Sequence, residues 1–138
     1  HIEFDKYIRD LLQAISSTHV RDQEDIEIET QLEDIVLNIN QAIPCSLLLN
    51  ELVVNAYKHA FGDQEDGRIE VQMTKEGTTA KLSVRDNGKG FPEEEVGAES
   101  TSLGMSLVDT LRSQLDGDIA VKNDEGARIT VTFEIEDR

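Results

Sequence analysis

The sequence predicts an α+β fold: a two-layer sandwich whose mixed, mainly antiparallel sheet carries helices on one face. Three observations predict it. Apolar and polar residues alternate at Ile69, Val71 and Met73, at Ala80, Leu82 and Val84, and again at Ile119, Val121, Ile129, Val131, Phe133 and Ile135. That is the period of a strand with one buried face. Around Phe4 to Ile15, Leu48 to Ala60 and Leu103 to Leu115, apolar residues instead recur every three or four positions, as on a helix with a buried side. Finally, the strands come in pairs rather than alternating singly with helices, which excludes a doubly wound parallel sheet.

The totals narrow the class further. A chain of 138 residues is one domain's worth, large enough to bury a core without disulfides or a structural metal. Its single cysteine, Cys45, permits no internal bridge and fits a reducing compartment, so the expected setting is cytoplasmic, with the membrane status of any parent protein left open. No apolar run approaches bilayer length, so no membrane contact is expected of this segment. Thirteen Lys and Arg against 29 Asp and Glu give a net charge of −16, which repels nucleic acid. The same charge opposes a nucleotide unless a divalent cation and local donors offset it.

Taken in order, residues 1 to 18 form an amphipathic helix through Phe4, Ile8, Leu11, Leu12 and Ile15. Thr18 to Asp25 is a charged connector. Ile26 and Ile28, then Ile35, Leu37 and Ile39, alternate with polar residues and are read as two short strands forming a hairpin. After Pro44, Ser46 is the expected N-cap of a central helix, with Ala42 to Cys45 as an earlier start, running to Gly62. Gly77-Thr78 joins one strand pair and Asp124-Glu125-Gly126 the other, while Gly117 closes the last helix. Residues 1–25 are therefore set apart as helix and connector, with an apolar stripe that could pack on this domain or on an upstream one, and 26–138 as the functional domain.

Chemistry concentrates in three places. On the central helix, Glu51, Asn55 and Lys58 or His59 share one stripe opposite Leu48, Leu49, Leu52, Val53 and Ala56. Asp86-Asn87-Gly88-Lys89-Gly90 directly follows a strand, where an Asp offers a fixed acceptor suited to a planar base with an exocyclic amine, and glycines permit close approach. Ser102-Leu103-Gly104 precedes a helix, whose first N–H groups favour phosphate. Each motif alone also fits an ordinary turn or cap. G-x-x-x-x-G-K-S/T and G-x-G-x-x-G are absent from the sequence.

The combination and order of the three resemble the N, G1 and G2 boxes of the GHKL ATP-binding (HATPase_c, Bergerat) fold. Ile43-Pro44, the run from Leu49 to Phe61, Ser102 to Val108 and Gln114-Leu115-Asp116-Gly117 narrow the resemblance to the catalytic domain of HisKA_2/HWE-type sensor histidine kinases, over about residues 26 to 135. That resemblance implies ATP and Mg²⁺ as cofactors. It implies Asn55 as metal ligand and Asp86 as acceptor of the adenine amine, which prefers ATP to GTP. Gly88 and Gly90 would let the chain pass under the base. Ser102, Leu103 and Gly104 would close on the phosphates, and Lys58 and His59 would supply donors beside them. Glu51 stands where related hydrolases carry a water-activating carboxylate, and is read either as general base or as orienter of the metal.

Two departures accompany the resemblance. Gly126-Ala127 stands where Gly-Thr is usual, removing a hydroxyl expected to support adenine, and Phe91 to Thr101 is a short lid without a separate aromatic motif. The implied function is transfer of the ATP γ-phosphate, in two-component signalling, to a histidine on a separate dimerisation domain, with a response regulator as indirect partner. The alternative is a free-standing GHKL anti-sigma-type serine kinase. Cys45 reads as a small buried residue, with no neighbouring pattern marking a nucleophile.

Overall fold

A computed structural model describes residues 2–19, 26–59, 67–90, 106–123 and 125–136, with the side chains of 18, 19, 59 and 106 outside that description. Among the described residues ten elements follow one another: β1 (Ile2–Glu3), α1 (Phe4–His19), β2 (Glu27–Leu32), β3 (Val36–Leu37), α2 (Ile39–His59), β4 (Arg68–Glu76), β5 (Thr79–Asp86), α3 (Ser106–Gln114), β6 (Asp118–Asn123) and β7 (Ala127–Glu134). Five strands form one mixed sheet in the order β2-β4-β5-β7-β6, with β2 parallel to β4 and every other pair antiparallel. The α+β architecture is the one the alternation predicts.

The two hairpins form where the pattern places them. Glu76 pairs with Thr79 across the two-residue turn, and Gly77 there takes φ +63, a conformation that glycine enters without a Cβ clash. In β4, β5 and β7 the odd–even alternation sends Val71, Leu82 and Val131 inward, each fully buried, while Gln72, Lys81 and Thr130 face the other way. Against the inner face pack Phe4, Ile8 and Leu12 of α1, Leu48, Leu52 and Val53 of α2, and Val108 and Leu111 of α3, in one continuous core. Each such side chain contributes about 1.5–3 kcal/mol by leaving water.

The first expected hairpin does not form. Glu33 N–H donates to the Met73 carbonyl at 2.9 Å and Glu33 Oε1 accepts the Lys75 N–H at 2.7 Å, so β2 continues along β4 instead of turning back. Val36 and Leu37 pair with Ile2 and Glu3 in a separate two-stranded ladder, and Ile39 belongs to α2. Three alternating apolar positions fit a strand end or a helix start equally well, and the sequence pattern does not separate them.

α2 consequently starts earlier than Ser46. Asn38 Oδ1 accepts the Gln41 N–H at 3.0 Å, the cap of a helix whose interior contains Pro44. Pro44 removes one main-chain bond, the one Asn40 would accept, and the Ser46 hydroxyl donates to the Ile43 carbonyl at 2.9 Å, three residues back, as an interior serine does. Gln41 is buried: its Nε2 donates to the Glu134 carbonyl at 2.8 Å and its Oε1 accepts the Glu136 N–H at 2.9 Å. One side chain thus fastens the first turn of α2 to the strand end beyond β7. At the end of α3 the left-handed residue is Asp116, φ 52, whereas Gly117 is required by space, because a Cβ there would lie 2.7 Å from the Thr132 carbonyl oxygen. The expected start of that helix at Leu103 and the end of α2 near Gly62 lie outside the described residues.

Candidate functional site

Asp86 is the last residue of β5 and continues the inward phase of Leu82 and Val84, so its carboxylate points to the helix side of the sheet and is only 7% exposed. A buried carboxylate needs donors. Two main-chain groups supply them: Gly88 N–H at 2.8 Å and Ala127 N–H at 3.2 Å, both to Oδ1. Burial raises the Asp86 pKa above the ordinary carboxylate value, and those two bonds partly oppose the rise.

Neighbouring main chain holds the loop from several sides. Asn87 N–H donates to the Arg68 carbonyl at 3.2 Å and Arg68 N–H donates to Asn87 Oδ1 at 2.7 Å. Gly126, at φ +132, lies so close that a Cβ would sit 2.0 Å from the Asp86 carbonyl oxygen. Gly90, at φ +78, faces Asn123, whose Oδ1 a Cβ would meet at 2.7 Å. The turn between β6 and β7 is therefore wedged against residues 86–90, and a side chain at either glycine would separate them. Ala127 lacks the hydroxyl of the usual threonine, yet its main-chain N–H reaches the carboxylate directly.

The second wall is α2, which packs against β5 and α3. Leu48, Leu49, Leu52, Val53 and Ala56 are buried, and the opposite line leaves Glu51 and Asn55 half-buried and Lys58 exposed. One helical turn separates Glu51 from Asn55, so their side chains share a face. Among the described residues no group of three or more His, Cys, Asp and Glu is arranged to hold a metal. A carboxamide and a carboxylate one turn apart suit a cation that takes most of its ligands from phosphate oxygens and water, which is how Mg²⁺ is ordinarily held.

The structure thus brings Asp86, Gly88 and Gly90 into one loop and sets Glu51, Asn55 and Lys58 on one helix face. The side chain of His59, the residues Ser102, Leu103 and Gly104, and the lid from Phe91 to Thr101 lie outside the described residues. Two residues that shape this loop had no such role assigned from the sequence: Asn87, and Gly126, which is read there only as a turn residue. Asn87 lies inside the Asp-x-Gly-x-Gly run, so it carried a readable signal. Cys45 is fully buried, and burial pushes its thiol pKa up, which leaves it unreactive.

Residues 40–137 match the family described as histidine kinase-, DNA gyrase B-, and HSP90-like ATPase. The chain is 26% identical over 109 residues to blue-light-activated histidine kinase 2 of Erythrobacter litoralis, covering 78% of this chain and 32% of that protein. It is 31% identical over 90 residues to the sensor histidine kinase PdtaS of Mycobacterium tuberculosis, covering 64% of this chain and 18% of that one. A solved structure of a blue-light activated histidine kinase from Erythrobacter litoralis superimposes with a TM-score of 0.86 at 23% identity, over 97% of this chain and 42% of that one, a likeness of fold. The chain spans a third or less of the length of these curated relatives.

Proposed function

Because the chain belongs to the histidine kinase-, DNA gyrase B-, and HSP90-like ATPase family, we propose that it is the ATP-binding catalytic domain of a two-component sensor histidine kinase. The observation that carries the proposal is the buried Asp86 carboxylate. Its Oδ1 is occupied by two main-chain N–H groups, and Oδ2 is the acceptor assigned to the adenine amine. A carboxylate accepts from an amine and repels a carbonyl, so the site selects adenine over guanine. Gly88 and Gly90 allow the loop to lie against the base.

Phosphoryl transfer is mostly positioning and charge stabilisation. Asn55 is assigned to the metal through its side-chain oxygen, with Glu51 either orienting that shell or acting as a base, and Lys58 and His59 facing the phosphate tail. Ser102, Leu103 and Gly104 are assigned to the phosphates from the opposite side. Bound Mg²⁺ supplies neutralisation of phosphate charge. The bond between the γ-phosphorus and the β,γ-bridging oxygen breaks as an imidazole nitrogen on a separate dimerisation domain of the same kinase attacks, and a response regulator receives the phosphoryl group from there. In this organisation residues 1–25 end the dimerisation segment and 26–138 form the catalytic domain, with the α1 side chains in the shared core tying the two together. The proposed setting is cytoplasmic; among the described residues no helix is long and apolar enough to cross a membrane.

The test is calorimetric titration of the chain with ATP, with and without Mg²⁺, followed by mixing with the parent's dimerisation domain and γ-labelled ATP. Binding without self-labelling, and label on the added histidine, is the expected result. No heat of binding would remove the nucleotide assignment, and binding without transfer to the added domain would remove the kinase assignment.

A further inference from the structure

The side chain of Asn87 completes the last rung of a β-ladder next to the peptide that holds Asp86. The β4–β5 register ends with Ile69 opposite Asp86, so Arg68 and Asn87 stand opposite each other one step beyond. In a hydrogen-bonded antiparallel pair, two residues exchange both N–H···O bonds through the main chain. Here only half of that exchange is main-chain: Asn87 N–H donates to the Arg68 carbonyl at 3.2 Å. The return bond, from Arg68 N–H, goes to the Asn87 side-chain Oδ1 at 2.7 Å and takes the place of a bond to the Asn87 carbonyl.

That substitution matters because the Asn87 carbonyl and the Gly88 N–H belong to one planar peptide unit and point in opposite directions. If the carbonyl turned to accept from Arg68, β5 would lengthen by one residue and the Gly88 N–H would swing away from the position where it donates to Asp86 Oδ1 at 2.8 Å. With the side chain accepting in its place, the peptide is free to present that N–H to the carboxylate, and the chain leaves the sheet towards Gly90, φ +78.

We infer that Asn87 is a positioning residue for base recognition: its side-chain oxygen replaces a strand carbonyl, so that the 87–88 peptide can hold Asp86 in the orientation that accepts the base. This rests on the reading of Asp86 given above. Alanine or a hydrophobic residue in this place, having no side-chain acceptor, would leave the Arg68 N–H to recruit the main-chain carbonyl. Aspartate keeps an acceptor at the same distance along the side chain.

The experiment measures Kd for ATP and for inosine triphosphate, in Mg²⁺, on the wild-type chain and on Asn87→Ala, Asn87→Asp and Asp86→Asn. The two nucleotides differ in a 6-amino against a 6-keto group, so their ratio reports base recognition while phosphate effects cancel. Asn87→Ala is expected to reduce the preference for ATP about fivefold, the equivalent of one hydrogen bond of ordinary net strength. The amide of Gly88 should exchange with solvent faster in the same variant. Asn87→Asp is expected to keep the wild-type ratio, and Asp86→Asn to abolish it. An unchanged ratio in Asn87→Ala beside a collapsed one in Asp86→Asn overturns this inference and leaves the adenine site standing. A ratio lost equally in Asn87→Asp also overturns it, because the acceptor is retained there. An unchanged ratio in Asp86→Asn removes the reading of the site itself, and the inference with it. If circular dichroism shows Asn87→Ala unfolded, Asn87→Gln, which moves the amide oxygen one methylene away, carries the same expectation.

Discussion

The loop at the end of β5 and the open face of α2 make opposite use of the same sheet. Asp86 is held by main-chain donors from two directions, with Asn87 bonded to β4 and Gly126 pressed against its carbonyl. Glu51, Asn55 and Lys58 are placed by helix repeat alone, above the buried Leu52, Val53 and Ala56. The difference teaches where structure and binding can be separated. A change that breaks the loop's packing is expected to alter both together, whereas a change on the helix face is expected to alter binding and leave the fold.

The largest expected effect lies in the wedge. Gly126→Ala puts a Cβ 2.0 Å from the Asp86 carbonyl oxygen at a φ of +132. A loss of about 3 kcal/mol or more is expected, read as a fall in Tm, together with loss of ATP affinity. A variant with unchanged Tm would break the contrast at its strongest point.

Asp86→Asn comes next and splits the two properties within the loop itself. Asparagine retains an Oδ1 for both main-chain donors but places an N–H₂ at the position proposed to accept from the ligand. ATP affinity should fall about a hundredfold relative to a 6-keto purine nucleotide. Stability should hold or rise at neutral pH. Asp86 has a raised pKa in the fold, so its ionised form costs stability at every pH above that value, and the cost disappears as the carboxyl protonates on acidification. Adenine binding should accordingly weaken as pH falls through the raised pKa, a dependence absent in Asp86→Asn.

On the helix, Asn55→Ala should remove the Mg²⁺-dependent part of ATP affinity, about tenfold or more, with stability changed by no more than ~0.5 kcal/mol. Undiminished dependence on Mg²⁺ in titration would show the metal assignment to be wrong. The smallest effect is remote from both walls. Glu134 accepts from the Thr78 and Thr79 hydroxyls at 2.7 and 2.6 Å, which lowers its pKa. Stability from a depressed carboxylate is full above the ordinary glutamate range and lost as pH falls through the folded value. Replacing both threonines by valine should therefore lower stability slightly at neutral pH and leave the most acidic end of the curve unchanged, with nucleotide binding unchanged.

Legibility followed the same division. The hairpins could be read because Gly77-Thr78 and the alternation of β4, β5 and β7 agree, and α2's polar stripe because 3.6-residue spacing separates Asn55 from Leu52 and Val53. The start of α2 was misread because Pro44 resembles a stop and Ile35-x-Leu37-x-Ile39 imitates a strand, while the deciding bonds reach residues far along the chain, from Gln41 to Glu134 and Glu136. β1 is two residues long and exists by pairing with Val36 and Leu37, so no local pattern announces it. Asp86 was legible as an acceptor; that Asn87 and Gly126 hold it became visible only once β4, β5 and the last turn were side by side.

The one parallel join among the described residues, β2 on β4, has a consequence for how the molecule assembles and comes apart. β4–β5 and β6–β7 are neighbours along the chain, but β2 reaches β4 only after α2 has been laid down between them. Closing that loop costs chain entropy before any contact repays it, so β2 is expected to dock late in folding and, lying at the sheet edge, to open first. In native-state hydrogen exchange the amides of Glu27 to Leu32 should lose protection at lower free energy than those of β5. Such an opening would unzip the far margin of the sheet while the strand bearing Asp86, clasped between two partners, stays closed.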